Sequence, residues 1–228
     1  MSSPIDEGVE NVTPGNRMAI AGLVFTGLYL ASYFAVRGLP QAEWSDDEIL
    51  AYYASGDVGY TRVVTLYLVP FAGIAFLWFL AAFRDRVSKL AGSENMLLST
   101  VQILSGSIYV AMQFSAAASI VTVVLTLDAG DPTPAAVQAV RPFLVLGDTI
   151  LVVFALRAAA VFMMSGTTRA LRSGLFRRWH AYLSYVLALV LLLTAAEVRA
   201  TSLIFPLWIG AVSILILVRR PRALTEEA

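Results

Sequence analysis

The residues best suited to chemistry sit inside or at the rims of long apolar stretches. Asp148 and Arg157 share one such stretch, and Glu197 stands at the rim of another. An Asp or Arg at the centre of a spanning helix costs about 2.5–3.5 kcal/mol on insertion scales, so each needs a partner or a task. Asp148 and Arg157 are nine residues apart. At about 100° per residue they point to opposite faces of one helix and cannot pair directly. Acid–base catalysis within the membrane would need two carboxylates in one pocket. Asp148 with Glu197 is the embedded pair available for it.

Neutral polar residues add two stripes. Gln102, Ser105, Tyr109 and Gln113 follow helical spacing, with Gly106, Ala116 and Ala117 beside them. Roughly opposite, Ala111, Ser115 and Ser119 form a small-residue ribbon suited to close helix packing. Gly22, Thr26, Tyr29, Tyr33 and Arg37 fall on one face of an earlier helix. By depth, Tyr29, Tyr33, Arg37, Tyr67, Gln113, Asp148, Glu197 and Arg199 occupy the same half of the membrane. Arg157 belongs to the other half, with Gln102, Tyr182 and Ser184. Turning the stripes towards one another predicts an outward-opening pocket lined by Tyr29, Tyr33, Gln113 and Asp148. Arg37 or Arg199 would pair with Asp148, and Glu197 completes the candidate ligand-binding set. The same residues would serve equally well as hydrogen bonds between helices.

Much chemistry is excluded. Cysteine is absent, which removes disulfides, thiolate catalysis and thiolate metal sites. His180 is the single histidine, so neither a bis-histidine haem within the chain nor a histidine-rich metal site is possible. Lys89, the one lysine, lies in a loop and cannot hold a retinal Schiff base. No phosphate-binding Gly-Lys-Ser/Thr loop and no Gly-x-Ser-x-Gly elbow occurs. No cofactor is expected. Lys+Arg 16 against Asp+Glu 16 gives no net charge to attract nucleic acid.

The elements that must position these residues are apolar helices. The 228 residues are 58% hydrophobic and 14% charged, against about 25% charged in a soluble domain. A spanning helix needs about 20 mostly apolar residues. The stretches Met18 to Val36, Val63 to Phe83, Met96 to Leu127, Phe143 to Met164, Trp179 to Ala196 and Ser202 to Val218 predict six. The fold class is therefore all-α, a polytopic six-helix membrane bundle over residues 18–218. A short segment (1–17) precedes it and a tail (219–228) follows.

Charge orients the bundle. One side receives Arg17; Arg84, Arg86 and Lys89; Arg169, Arg172, Arg177 and Arg178; and Arg219, Arg220 and Arg222. The other receives Arg37, Arg62, Arg141 and Arg199, together with most of the loop acids. Eleven cations against four places both termini in the cytoplasm of a plasma or inner membrane. The acidic leader before Met18 argues against a cleaved signal peptide. The inner connector from Gly166 to Arg178 is expected to meet anionic headgroups with its arginines.

In the first outer loop, Ser45-Asp46-Asp47-Glu48 reads as a capping box, with Trp44 and Ile49 as its staple and Gly56 as the stop. This predicts a short helix whose Ile49, Tyr52 and Tyr53 share a face, as a cover or a lid. Asp131-Pro132-Thr133-Pro134 opens a second short outer segment capped by Thr133.

Two motifs carry a family likeness. The run Ser45 to Tyr53 precedes Val69-Pro70-Phe71-Ala72-Gly73-Ile74-Ala75-Phe76-Leu77-Trp78-Phe79-Leu80, and Arg172-Ser173-Gly174-Leu175-Phe176-Arg177-Arg178-Trp179 enters the fifth helix. The layout resembles a broad group of six-helix integral membrane proteins of bacteria, classed as a domain of unknown function. That group often has a proline after the Gly-Leu pair, where this chain has Phe176. The resemblance implies a fold and lends no activity. Three functions remain open: a binding or accessory bundle for a lipid or apolar ligand, a secondary transporter of three helices plus three, and an intramembrane enzyme using Asp148 and Glu197. Membrane lipids are the expected partners, and a larger membrane assembly is compatible with the same features.

Overall fold

The computed structural model describes residues 14–55, 58–92, 95–128, 133–193 and 199–218. Described residues are almost all helical. In chain order the helices are α1 (Pro14–Val36), α2 (Asp46–Ala54), α3 (Val58–Val63), α4 (Val69–Ala91), α5 (Met96–Asp128), α6 (Pro134–Thr149), α7 (Leu156–Arg172), α8 (Arg178–Leu193) and α9 (Ile204–Val218). Wide π turns at Val64–Leu68 and Ile150–Ala155 join α3 to α4 and α6 to α7 without a break. Among the described residues five helical runs are long and apolar enough to cross a membrane, ending with Ala200–Val218. A sixth, Arg178–Leu193, is apolar but shorter.

The exterior agrees with that architecture. Ile20, Phe71, Trp78, Leu104 and Leu193 are more than half exposed on the helix flanks. Water would penalise so continuous an apolar surface, whereas acyl chains match it. This is the build of a multi-pass membrane protein.

Two segments differ from expectation. The residues after Thr133 form no separate short piece. Thr133 does cap the helix, accepting from the Ala136 N–H at 3.2 Å, but the helix then runs on through Pro142 to Arg172. The fifth stretch is helical from Arg178 to Leu193, and Glu197 lies outside the described residues, as does Gly56.

α1 lies along α4 and α9, while α5 lies along α6 and α7. The core between them is aromatic. Phe76 meets Phe25, Tyr109, Phe162 and Phe205, with ring centroids between 5.2 and 5.4 Å apart. Small residues allow the close approaches. A Cβ on Gly22 would overlap Ser213 Oγ of α9 and come within 2.8 Å of the buried Phe79 ring. Gly22→Ala should therefore destabilise the protein by about 1–3 kcal/mol, as overpacking does. Adding Ser213→Ala should return part of that loss, measured as thermal unfolding in detergent. An unchanged midpoint for Gly22→Ala would show that α1 and α9 are not so closely seated.

α5 has 33 residues and is about 50 Å long, against a hydrocarbon core of about 30 Å. Its surplus is covered by α2. Ile49 and Tyr53 pack on Val123, Val124 and Leu127 of α5 and on Val137, Val140 and Leu144 of α6. The Ala111–Ser115–Ser119 ribbon does not pack along its length as its small side chains predict. Ala111 and Ser115 are exposed, and Ser119 alone packs closely, beside Gly147 of α6. Serine hydroxyls on a helix find their own backbone, here Ala111 O for Ser115, so the ribbon needs no neighbour to be satisfied.

Phe176 also has a structural reason. Its N–H donates to Ala170 O at 3.0 Å, closing the turn through Gly174, and its ring is buried. A proline there has no N–H to give.

Candidate functional site

A half-open cavity of about 300 Å³ lies between the two helix layers, at the end of the bundle that carries α2. One wall is α1, with Tyr29, Ser32, Tyr33 and Arg37. The facing wall is α5, with Gln113, Ala116 and Ala117. Asp148, Gly147 and Val152 close one side, and Thr65, Val69 and Ala72 the other. Pro40, Gln41 and Ala42 form the roof.

Five of the seven candidate residues (Tyr29, Tyr33, Arg37, Gln113 and Asp148) thus line one space. Glu197 lies outside the described residues, and of Arg199 only the backbone is described, at the start of a 3-10 turn Arg199–Leu203. Tyr67, assigned to the same depth, is more than half exposed on the bundle's flank.

The cavity exists because helix geometry keeps its walls apart. Both π turns flank it. Pro70 lacks an N–H and its ring crowds the carbonyl four residues back. The backbone widens over Val64–Leu68, and the Val69 N–H reaches Val64 O instead. The second π turn begins two residues after Asp148. Such turns recur at functional sites.

Polar groups line the lower part of the space. Gln113 Nε2 donates to the Tyr109 hydroxyl at 2.9 Å. The Tyr109 and Tyr29 hydroxyls are joined, and Tyr29 also bonds Ser202. Gln113 is 3% exposed, yet its Oε1 has no partner. A buried acceptor left in this state costs about 1–3 kcal/mol unless something supplies a donor. Nearer the opening, Arg37 Nη2 donates to the Tyr33 hydroxyl at 3.2 Å and the guanidinium sits 4.9 Å from the ring centroid. Asp148 is half-buried against the same space. Below, the aromatic core closes the floor. Most of the remaining lining is aliphatic.

The roof is fastened by Arg141. Its Nε and Nη2 donate to Asp46 Oδ1 at 3.1 and 2.5 Å, Nη1 donates to Ala42 O at 2.9 Å, and Nη2 to Trp44 O at 2.8 Å. The capping box sits next to this contact. Ser45 N–H donates to Glu48 Oε2 at 2.7 Å, and Glu48 N–H donates to Ser45 Oγ at 3.3 Å. The hydrogen bond from Arg141 holds the Asp46 carboxyl below its ordinary value, and the Ser45 N–H does the same for Glu48. A lowered folded-state pKa stabilises above the ordinary carboxylate value, and that stability is lost as pH falls through the lowered one. The protection of amides across 46–54, measured against the intrinsic exchange rate at each pH, should therefore fall in acid below the carboxylate range. Arg141→Gln should bring fast exchange already at neutral pH. Exchange indifferent to both changes would refute the fastening.

The far half of the stripe does something else. Gln102 and Ser105 are buried, and Gln102 Oε1 accepts from Arg169 Nη1. Arg169 Nη2 donates to Ser88 Oγ at 3.0 Å. Arg169 is 4% exposed, so it does not lie among headgroups as its place in a basic connector suggested. α7 continues past Gly166 and carries Arg169 inward. Arg157 donates to Val153 O of its own helix at 2.6 Å. His180 stacks on Trp179 at 3.5 Å, at the entrance to α8.

Comparison with family models, with curated proteins and with solved structures finds no match.

Proposed function

We propose that the chain is a small binding or accessory membrane bundle whose cavity takes one amphiphilic or apolar ligand, such as a lipid, from the outer side. The carrying observation is the half-open space of about 300 Å³ with Tyr29, Tyr33, Arg37, Gln113 and Asp148 on its walls. That volume is at the lower end for ligand pockets, and a few polar groups among aliphatic ones suit an amphiphile. The proposed topology has six spans, α8 being the fifth, with both termini cytoplasmic. Membrane lipids are its surroundings, and a place in a larger assembly is compatible with the apolar exterior.

A secondary transporter of three helices plus three is the second reading, favoured by the π turns in two walls of the cavity. The aromatic floor weighs against it, because Phe25, Phe76, Tyr109, Phe162 and Phe205 fill the route onward. The enzyme reading rests on Asp148 and Glu197, of which only Asp148 is described.

The binding reading is tested by native mass spectrometry of the protein taken gently from its own membrane. A retained adduct of one defined mass is expected. Bare protein under conditions where surface lipids survive would count against it. Topology is tested with single cysteines. At Ser55 and Ala135 they should label from outside intact cells, and at Leu90 and Arg177 only after permeabilisation. Reversed labelling would overturn the orientation and turn the cavity inward.

A further inference from the structure

A second groove lies at the opposite end of the bundle, between the start of α1 and the end of α4. It has a volume of about 270 Å³ and is lined by Arg17, Ala21, Trp78, Ala81, Ala82, Asp85 and Lys89. Its floor is alanine, so two neighbouring helices leave a channel on the bundle's flank. Its rim is charged. Lys89 Nζ meets Asp85 Oδ2 at 2.7 Å, with both side chains at least half exposed. Such a surface pair is weak and exchanges readily for another anion. Arg17 is exposed beside them, which leaves the rim with one surplus positive charge. Trp78, 70% exposed, also lines the groove, seven residues along α4 from Asp85, and carries an N–H donor.

We propose that this groove binds a phospholipid with a negatively charged headgroup. One acyl chain lies along Ala21, Ala81 and Ala82, and the phosphate meets Arg17 and Lys89. Charge complementarity selects the headgroup: the rim is net positive, while a zwitterionic choline head brings its own cation towards Arg17. Apolar shape selects a lipid over a free phosphate ester. The indole N–H of Trp78 offers a donor below the phosphate, where glycerol ester carbonyls lie. The site is independent of the ligand in the other cavity and needs only that the helices lie in a bilayer.

The experiment uses the delipidated full-length protein in detergent, titrated with phosphatidylglycerol or phosphatidylcholine of the same acyl chains and read by native mass spectrometry. The wild type should prefer phosphatidylglycerol. Arg17→Gln should lose about fivefold of that binding, as one cation near a charged lipid surface is worth. Arg17→Gln with Lys89→Gln should fall to the phosphatidylcholine level, and Arg17→Lys should retain the preference. Ala81→Trp, on an exposed position, should block both lipids while leaving thermal unfolding unchanged. Equal binding of the two lipids by the wild type, or undiminished phosphatidylglycerol binding by the double variant, would overturn the proposal. Displacement by glycerol phosphate at equal concentration would also overturn it, since the site would then read a phosphate alone.

Discussion

Ala117→Phe should abolish retention of the ligand in the α2-end cavity, with affinity falling at least about tenfold. Ala117 is 7% exposed and lies on the α5 wall. A space of about 150 Å³ holds a benzene ring. The new ring would thus take about half of the 300 Å³ available. No polar group is lost, so the effect reads occupancy of the space alone. Filling unoccupied volume also tends to stabilise, so thermal unfolding should hold or rise. Ala118, its exposed neighbour on the outer flank of α5, gives the control. Ala118→Phe adds the same ring and should leave the adduct untouched. Equal adducts on wild type and Ala117→Phe would place the ligand elsewhere on the protein.

Gln102→Leu should cost about 1.5–3 kcal/mol, the range for losing a hydrogen bond to a charged group. Gln102 has no exposed surface and accepts from a guanidinium that is itself buried. Leucine fills most of the volume and removes the acceptor, so Arg169 keeps its desolvation cost with one bond fewer. The Gln102 Nε2 has no partner, so removing it relieves a buried unpaired donor and holds the cost to the lower part of that range. Replacing both residues by apolar ones should cost less than the sum of the single changes, because the pair fails together. Thermal or denaturant unfolding of the four proteins in one detergent measures this cycle. Strict additivity would mean that the two side chains do not act as a unit.

Helices and their polar faces were legible because hydrocarbon leaves few alternatives. A Tyr, Gln or Asp in a span must find a partner or water, so spacing alone put Tyr29, Tyr33, Gln113 and Asp148 into one half of the bundle. Ser45 and Glu48 were legible for a local reason, since a capping box needs only four consecutive residues. What distance in the chain concealed was tertiary. Arg141 reaches Asp46 across 95 residues, and Arg169 reaches Gln102 across 67. Counting both arginines as loop charges assigned Arg169 to headgroups, although its helix carries it into the core. The wide turn at Ile150–Ala155 was hidden because no proline follows it, whereas Pro70 follows the one at Val64–Leu68. Ala111 and Ser115 suggested contact because small residues permit it, but permission does not supply a neighbour.

The claim that this is a ligand-binding bundle is tested most directly by an experimental density map of the protein purified without harsh delipidation. The expected result is continuous density inside the cavity, with a polar head within hydrogen-bond reach of Tyr33, Gln113 or Asp148 and an apolar tail along Val69, Ala72 and Ala117. A cavity closed by its own side chains, or holding only water that satisfies Gln113 Oε1, would contradict it and leave these residues as the polar joints of a structural bundle.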